Sequence, residues 1–109
     1  MDMSKVVLCG ASSYEEKYYL NPEFEKLPSG IKDELKIMCV LYTHEIGGIL
    51  TLLYEENGEL NFEVSAKEGD PMFDEIGSRL KIKKLQSEKE ELLTALQMYY
   101  RVVFLGEEM

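Results

Sequence analysis

At 109 residues, with 45% hydrophobic and 30% charged, the chain is the size of one domain and has the composition of a folded globular protein, which excludes a disordered tail or a fibrous repeat. Twelve Lys and Arg stand against 21 Asp and Glu, a net charge of −9 spread along the chain, so a nucleic-acid duplex or an anionic membrane is repelled on average. No apolar stretch approaches the roughly 20 residues that span a bilayer and no secretory leader pattern opens the chain, so the expected location is cytoplasmic.

Lys5 to Cys9 reads as a short strand that ends in the small-residue loop Gly10-Ala11-Ser12-Ser13. Glu16 to Leu20, with Tyr18-Tyr19, reads as a second strand stopped by Asn21-Pro22. After Leu27-Pro28, Ser29 is placed to cap a helix. Ile31, Leu35, Met38, Tyr42 and Ile46 then recur on one helical face until Gly47-Gly48 closes it. Ile37 to Tyr42 is apolar on every side, so a strand there is the competing assignment.

Ile49–Tyr54 and Leu60–Val64 flank Glu55-Glu56-Asn57-Gly58-Glu59, a hairpin whose Asn-Gly takes the positive φ values of tight turns. Leu60, Phe62 and Val64 alternate with polar residues, which gives that strand one buried and one wet face. Asp70-Pro71 is read as the N-cap and first residue of a helix carrying Ile76 and Leu80. Ser87-Glu88-Lys89-Glu90 has the form of a capping box, leaving open whether 71–104 is one helix or two. Leu92, Leu96, Tyr99 and Val103 form one stripe beyond it, and Leu93, Tyr100 and Phe104 a second. The expected architecture is a single α+β domain over residues 1–109. Its small antiparallel sheet, the 49–54/60–64 hairpin joined by the N-terminal strands, packs against two or three helices.

Chemistry is sparse. The one histidine, His44, allows a dyad only with Cys9, because Cys39 lies five residues away on the same helix and points elsewhere. Both cysteines sit in apolar runs and read as buried, reduced thiols, and His44, beside Glu45 in the last helical turn, reads as interacting with the helix dipole. Asp70, Asp74 and Glu75 with His44 and Glu45 are the only metal candidates. They lack the spacing of a calcium loop and are better explained by helix starts. Gly10-Ala11-Ser12-Ser13 lacks any phosphate-loop spacing and reads as a plain loop with a locally bonded serine. Lys81, Lys83, Lys84 and Lys89, with acidic neighbours at Glu88, Glu90 and Glu91, read as a solvated face, and no carboxylate pair stands out for acid–base work. No catalytic residue, cofactor or metal is assigned.

One excess remains. Tyr99-Tyr100-Arg101-Val102-Val103-Phe104-Leu105 is apolar or aromatic on nearly every side, more than a small sheet needs, so Tyr99, Tyr100, Val103 and Phe104 are the candidate interface residues. The alternative is burial of this segment in the domain's own core.

Val6-Val7-Leu8-Cys9-Gly10, Lys17-Tyr18-Tyr19, Leu35-Lys36-Ile37-Met38-Cys39-Val40-Leu41, Gly47-Gly48-Ile49-Leu50-Thr51, Asp74-Glu75-Ile76-Gly77-Ser78 and Tyr99-Tyr100-Arg101-Val102-Val103-Phe104 carry a resemblance. The chain resembles an uncharacterised family of small acidic proteins from clostridial bacteria, filed as a domain of unknown function. The resemblance implies a bacterial intracellular protein and supplies no activity, substrate or site.

The first functional expectation is therefore a non-catalytic interaction module forming a homodimer or binding another protein, with neither nucleic acid nor membrane as partner. A small-ligand binding protein with a Tyr- and Met-lined pocket is the alternative. An enzyme using Cys9 or a carboxylate pair comes last.

Overall fold

The computed structural model describes residues 5–107. Among them β1 (Val6–Ser12), β2 (Lys17–Leu20), β3 (Ile49–Tyr54) and β4 (Leu60–Ser65) form one antiparallel sheet in the order β2-β1-β3-β4. A 3₁₀ turn at Pro22–Phe24 leads into α1 (Ser29–Ile46), and α2 (Glu75–Glu88) and α3 (Glu90–Val103) follow the sheet. This is the expected small α+β fold, with both N-terminal strands in the sheet.

Alternation decides which face is covered. On β4 Leu60, Phe62 and Val64 turn to the helices, opposite Tyr54, Leu52 and Leu50 of β3, while Asn61, Glu63 and Ser65 are exposed. The β1–β3 register slips between Val7 and Cys9, a bulge that brings both Leu8 and Cys9 into the core. α1 lies over β2, β1 and β3, α3 lies against β4, and α2 bridges α1 and α3. At the β4 edge the Gln97 side chain accepts the Leu60 N–H, so α3 closes one end of that otherwise open edge.

Several boundaries differ from the sequence expectation. β1 runs through Gly10, Ala11 and Ser12 instead of stopping at Cys9, because these residues pair on both sides, Gly10 with Tyr19 and with Thr51. Ile37 to Tyr42 is helical, and Leu35, Met38, Tyr42 and Ile46 form the buried stripe of α1. Ser29 is the first helical residue and makes no cap. Gly48, at φ +76°, ends the connection to β3 where a Cβ would come within 2.6 Å of the Ser65 carbonyl. Gly58, at φ +90°, completes the hairpin turn and donates its N–H to the Glu55 carbonyl.

The helix expected from Asp70-Pro71 starts later. Asp74 is the N-cap of α2 and accepts the Gly77 N–H, whereas Asp70 accepts the Met72 N–H in the preceding turn. Ile76 and Leu80 are not core residues: they are 76% and 65% exposed, and α2 buries Ser78 and Leu85 instead. The 71–104 segment is two helices that part at Lys89. The break falls inside Ser87-Glu88-Lys89-Glu90, yet α3 has no side-chain cap and the capping box does not form.

Candidate functional site

The aromatic residues of the C-terminal segment turn to the core, while Val102, Val103 and Leu105 stay exposed. Tyr100 is buried, and its ring stacks on Tyr54 at 4.1 Å between centroids and on Phe104 at 5.0 Å. Phe24, brought in by the 3₁₀ turn, stacks on Tyr54 at 5.6 Å and on Phe104 at 4.8 Å, which completes a four-ring cluster. Tyr99 packs half-buried beside it, and the Tyr54 hydroxyl donates to the Leu96 carbonyl. Of the four candidate interface residues only Val103, at 56%, is largely exposed.

The residues weighed for chemistry disperse. Cys9 and Cys39 are fully buried, with their sulfurs 3.9 Å apart across the β1–α1 contact. The hydrogen bond to Cys9 and burial both push the Cys39 thiol up, while the contact from Cys39 lowers Cys9 against the effect of burial. His44 stands exposed in the last turn of α1, so neither thiol reaches it. Glu45 pairs with Lys81 at 3.0 Å, Asp74 caps α2, and Asp70 accepts from the Tyr14 hydroxyl. Among the described residues no group of three or more His, Cys, Asp or Glu side chains converges to hold a metal ion, and no helix is long and apolar enough to cross a membrane.

A different set of residues does converge. The β1–β2 hairpin arches beside the C-terminal half of α1, and the space between them is a cleft of about 680 Å³. Ser12, Ser13, Glu16, Lys17 and Tyr18 line it from the hairpin, and Lys36, Val40, Thr43 and His44 from the helix. The helical members follow from spacing: Lys36, Val40, Thr43 and His44 occupy successive turns on the flank next to the core stripe. Their hairpin counterparts follow from strand alternation, which places Tyr18 beside Ala11 on the covered face.

Local hydrogen bonds fix the hairpin wall. The Ser12 hydroxyl accepts the N–H groups of Tyr14 and Glu15, and the Ser13 N–H donates to the Gly48 carbonyl. Glu16 is held at φ +52°, a left-handed conformation that costs a side-chain-bearing residue about 1 kcal/mol. The Thr43 hydroxyl bonds back to the carbonyls of Cys39 and Val40. The Tyr18 hydroxyl is buried beside the two thiols with no hydrogen-bond partner among the described residues. Burial first, then the charge of the neighbouring thiols, pushes it well above the ordinary phenol range.

This cleft differs from the pocket expected from composition, since one tyrosine and no methionine line it. Sequence reasoning weighed Ser12, Ser13 and His44 separately and did not single out Glu16, Lys17, Tyr18 or Lys36. The available signal was the stripe Lys36, Val40, Thr43 and His44 beside an apolar helix face, but nothing in the sequence says that the hairpin folds over it.

The chain belongs to a family of unknown function (DUF6145), whose model matches residues 5–108. No curated protein and no solved structure matches it.

Proposed function

We propose that this chain is a non-catalytic module that binds a small molecule in the cleft between the β1–β2 hairpin and α1. The observation that carries this is the cleft itself: about 680 Å³, within the usual range for a small-ligand site, with Val40 and the Tyr18 ring as apolar wall and Ser13, Lys17, Lys36 and His44 as polar groups around it. No nucleophile–base pair supports an enzyme, because the thiols lie in the core and the histidine outside it. The setting we assume is a clostridial cytoplasm, which the family resemblance implies and two free thiols support.

The test is a thermal-shift screen of metabolites followed by amide-shift mapping. A ligand at about 100 times its Kd adds about 2.7 kcal/mol, enough to raise Tm by several degrees, and its shifts belong on residues 12–18 and 36–44. Binding that maps outside those residues would reject the site.

A second reading, self-association, is favoured by Ile37 and Leu41. They stand 58% and 59% exposed on successive turns of α1, beside a groove of about 370 Å³ that runs to Leu85 of α2. A homodimer built there is disrupted by Leu41→Glu, and sedimentation of both proteins is the check; a wild-type monomer at high concentration ends this reading. The candidate interface on α3 offers Val103, with Met98 and Val102 near it, as a smaller exposed apolar surface for the same experiment.

A further inference from the structure

We infer that Cys9 of β1 and Cys39 of α1 are a redox pair, which hydrogen peroxide converts to a reversible disulfide that locks the sheet to the helix. The pair needs no ligand in the cleft. These are the two cysteines of the chain, 30 residues apart, and the fold brings them sulfur to sulfur at 3.9 Å with both side chains fully buried. A disulfide has its sulfurs about 2.0 Å apart, so each has roughly 1 Å to travel, the scale of ordinary thermal displacement.

Packing of two small apolar side chains is the competing account, since a buried cysteine behaves as a small hydrophobe. It accommodates the sulfur contact but leaves Tyr18 unexplained. Cys9 and Tyr18 lie diagonally on the covered face of β1 and β2, and the Tyr18 hydroxyl is buried against the thiols with no hydrogen-bond partner among the described residues. Phenylalanine would fill the same space without stranding a hydroxyl. A thiolate at Cys9 gives that hydroxyl an acceptor, and the Cys39 thiol is a second donor to it. Accordingly the Cys39 contact, and after it Tyr18, lower the Cys9 thiol against the effect of burial, while the bond to Cys9 and burial push Cys39 up. The two thiols are therefore unequal: Cys9 is the nucleophile and Cys39 resolves it.

The Cys9 thiolate attacks one oxygen of the peroxide. A sulfur–oxygen bond forms as the oxygen–oxygen bond breaks, and the departing hydroxide takes up the proton that Cys9 released. The Cys39 sulfur then attacks the sulfenic Cys9 sulfur, the sulfur–oxygen bond breaks as the disulfide forms, and the Cys39 proton leaves in a second water. Two thiols thus give two electrons to one peroxide. Size selects the oxidant: both sulfurs lie behind Tyr18 of the cleft wall, where a bulky disulfide is kept out and peroxide, little larger than water, is not.

The experiment treats the reduced full chain with excess hydrogen peroxide, quenches with catalase, and reads intact mass and free thiols after denaturation. Expected are a mass lower by two hydrogens, loss of both thiols, a peptide joining Cys9 to Cys39, and recovery of the starting protein with dithiothreitol. Because the bond spans 30 residues of chain, the oxidised protein should also melt several degrees higher. Tyr18→Phe should oxidise about tenfold more slowly, the effect of losing one hydrogen bond to a charged sulfur. Cys39→Ala should halt at a Cys9 sulfenic acid that a cyclic dione labels, while in Cys9→Ala the remaining thiol stays unlabelled. Both thiols still free after peroxide, a mass raised by oxygen atoms, or a disulfide-bonded dimer would overturn the pair, and that measurement needs no variant to fold. A disulfide that leaves the melting temperature unchanged or lower would overturn the lock. Tyr18→Phe oxidising at the wild-type rate would overturn the part given to Tyr18, and dione labelling of Cys39 instead of Cys9 would overturn the order of attack.

Discussion

Ile37 to Leu41 and Tyr99 to Leu105 are both apolar on nearly every side of a helix, and each buries only part of that excess, by different means. In α3 and its end, Tyr100 and Phe104 turn inward and find ring partners in Tyr54 and Phe24, while Val102, Val103 and Leu105 stay exposed. In α1 the same kind of run buries Met38 and Cys39 but leaves Ile37 and Leu41 exposed toward α2 and Val40 exposed on the cleft. The difference lies outside both segments. The 3₁₀ turn between β2 and α1 inserts Phe24 where α3 has aromatic rings to cover, and among the described residues nothing comparable is laid over the outward flank of α1. Apolar excess in a helix therefore says that something must cover it, and only the rest of the fold says whether that something is already present.

The sharpest way to break this contrast is to truncate one residue from each region. Tyr100→Ala removes a buried ring from the aromatic cluster and is expected to cost about 3–5 kcal/mol, whereas Ile37→Ala should change stability by no more than about 0.5 kcal/mol. Urea unfolding of both variants is the measurement. Similar losses would mean that the two runs are equally part of the core.

The elements whose signals are local were legible from sequence: the hairpin, read as 49–54/60–64 and observed to run one residue further, from its turn residues and alternation, and the buried stripe of α1 from its spacing. What failed depended on distant partners. Ile76 and Leu80 have helical spacing, yet α2 turns Ser78 and Leu85 inward because Tyr42 of α1 meets Ser78 there. Asp70 looked like a helix cap and is instead held by the Tyr14 hydroxyl from the hairpin tip, so the helix waits for Asp74. The cleft was readable only in fragments for the same reason: His44, Ser12 and Ser13 could each be weighed, but their meeting with Lys17 and Lys36 is set by how the hairpin packs on α1.

The Tyr42–Ser78 contact gives the next effect in size. It is the buried polar tie between α1 and α2, and Tyr42→Phe leaves the Ser78 hydroxyl without a partner at an expected cost of about 1–3 kcal/mol. Adding Ser78→Ala should recover most of that loss. A double-mutant cycle in urea checks it, and strictly additive losses would show that the two hydroxyls do not act as a pair.

The hairpin wall of the cleft should respond in the opposite direction. Tyr18→Phe removes a buried hydroxyl that has no partner, and Glu16→Asn places a residue tolerant of left-handed backbone at φ +52°. Each is expected to stabilise the protein by up to about 1 kcal/mol. A loss from Tyr18→Phe would mean that its hydroxyl has a hydrogen-bonding role that the contacts around it do not reveal.

The smallest effect concerns how the hairpin tip is tethered. The Tyr14 hydroxyl donates to Asp70, accepts the Lys67 N–H, and its ring lies under the Lys67 ammonium. The bond from Tyr14 holds the Asp70 carboxyl below the ordinary carboxylate value, and the same bond raises Tyr14 above the ordinary phenol value. A depressed carboxyl contributes stability above its unfolded-state value and loses it as pH falls through the folded value, so the tether is intact at neutral pH and fails in acid. The raised phenol contributes below its unfolded-state value and loses that as pH climbs beyond about 10. The stability difference between the wild type and Tyr14→Phe should therefore be largest near neutrality and shrink toward both extremes. Urea midpoints of the two proteins at acid, neutral and alkaline pH measure it. A difference that stays constant from neutral to acid pH would show that the hairpin tip is held by the packing of the Tyr14 ring and not by its bond to Asp70.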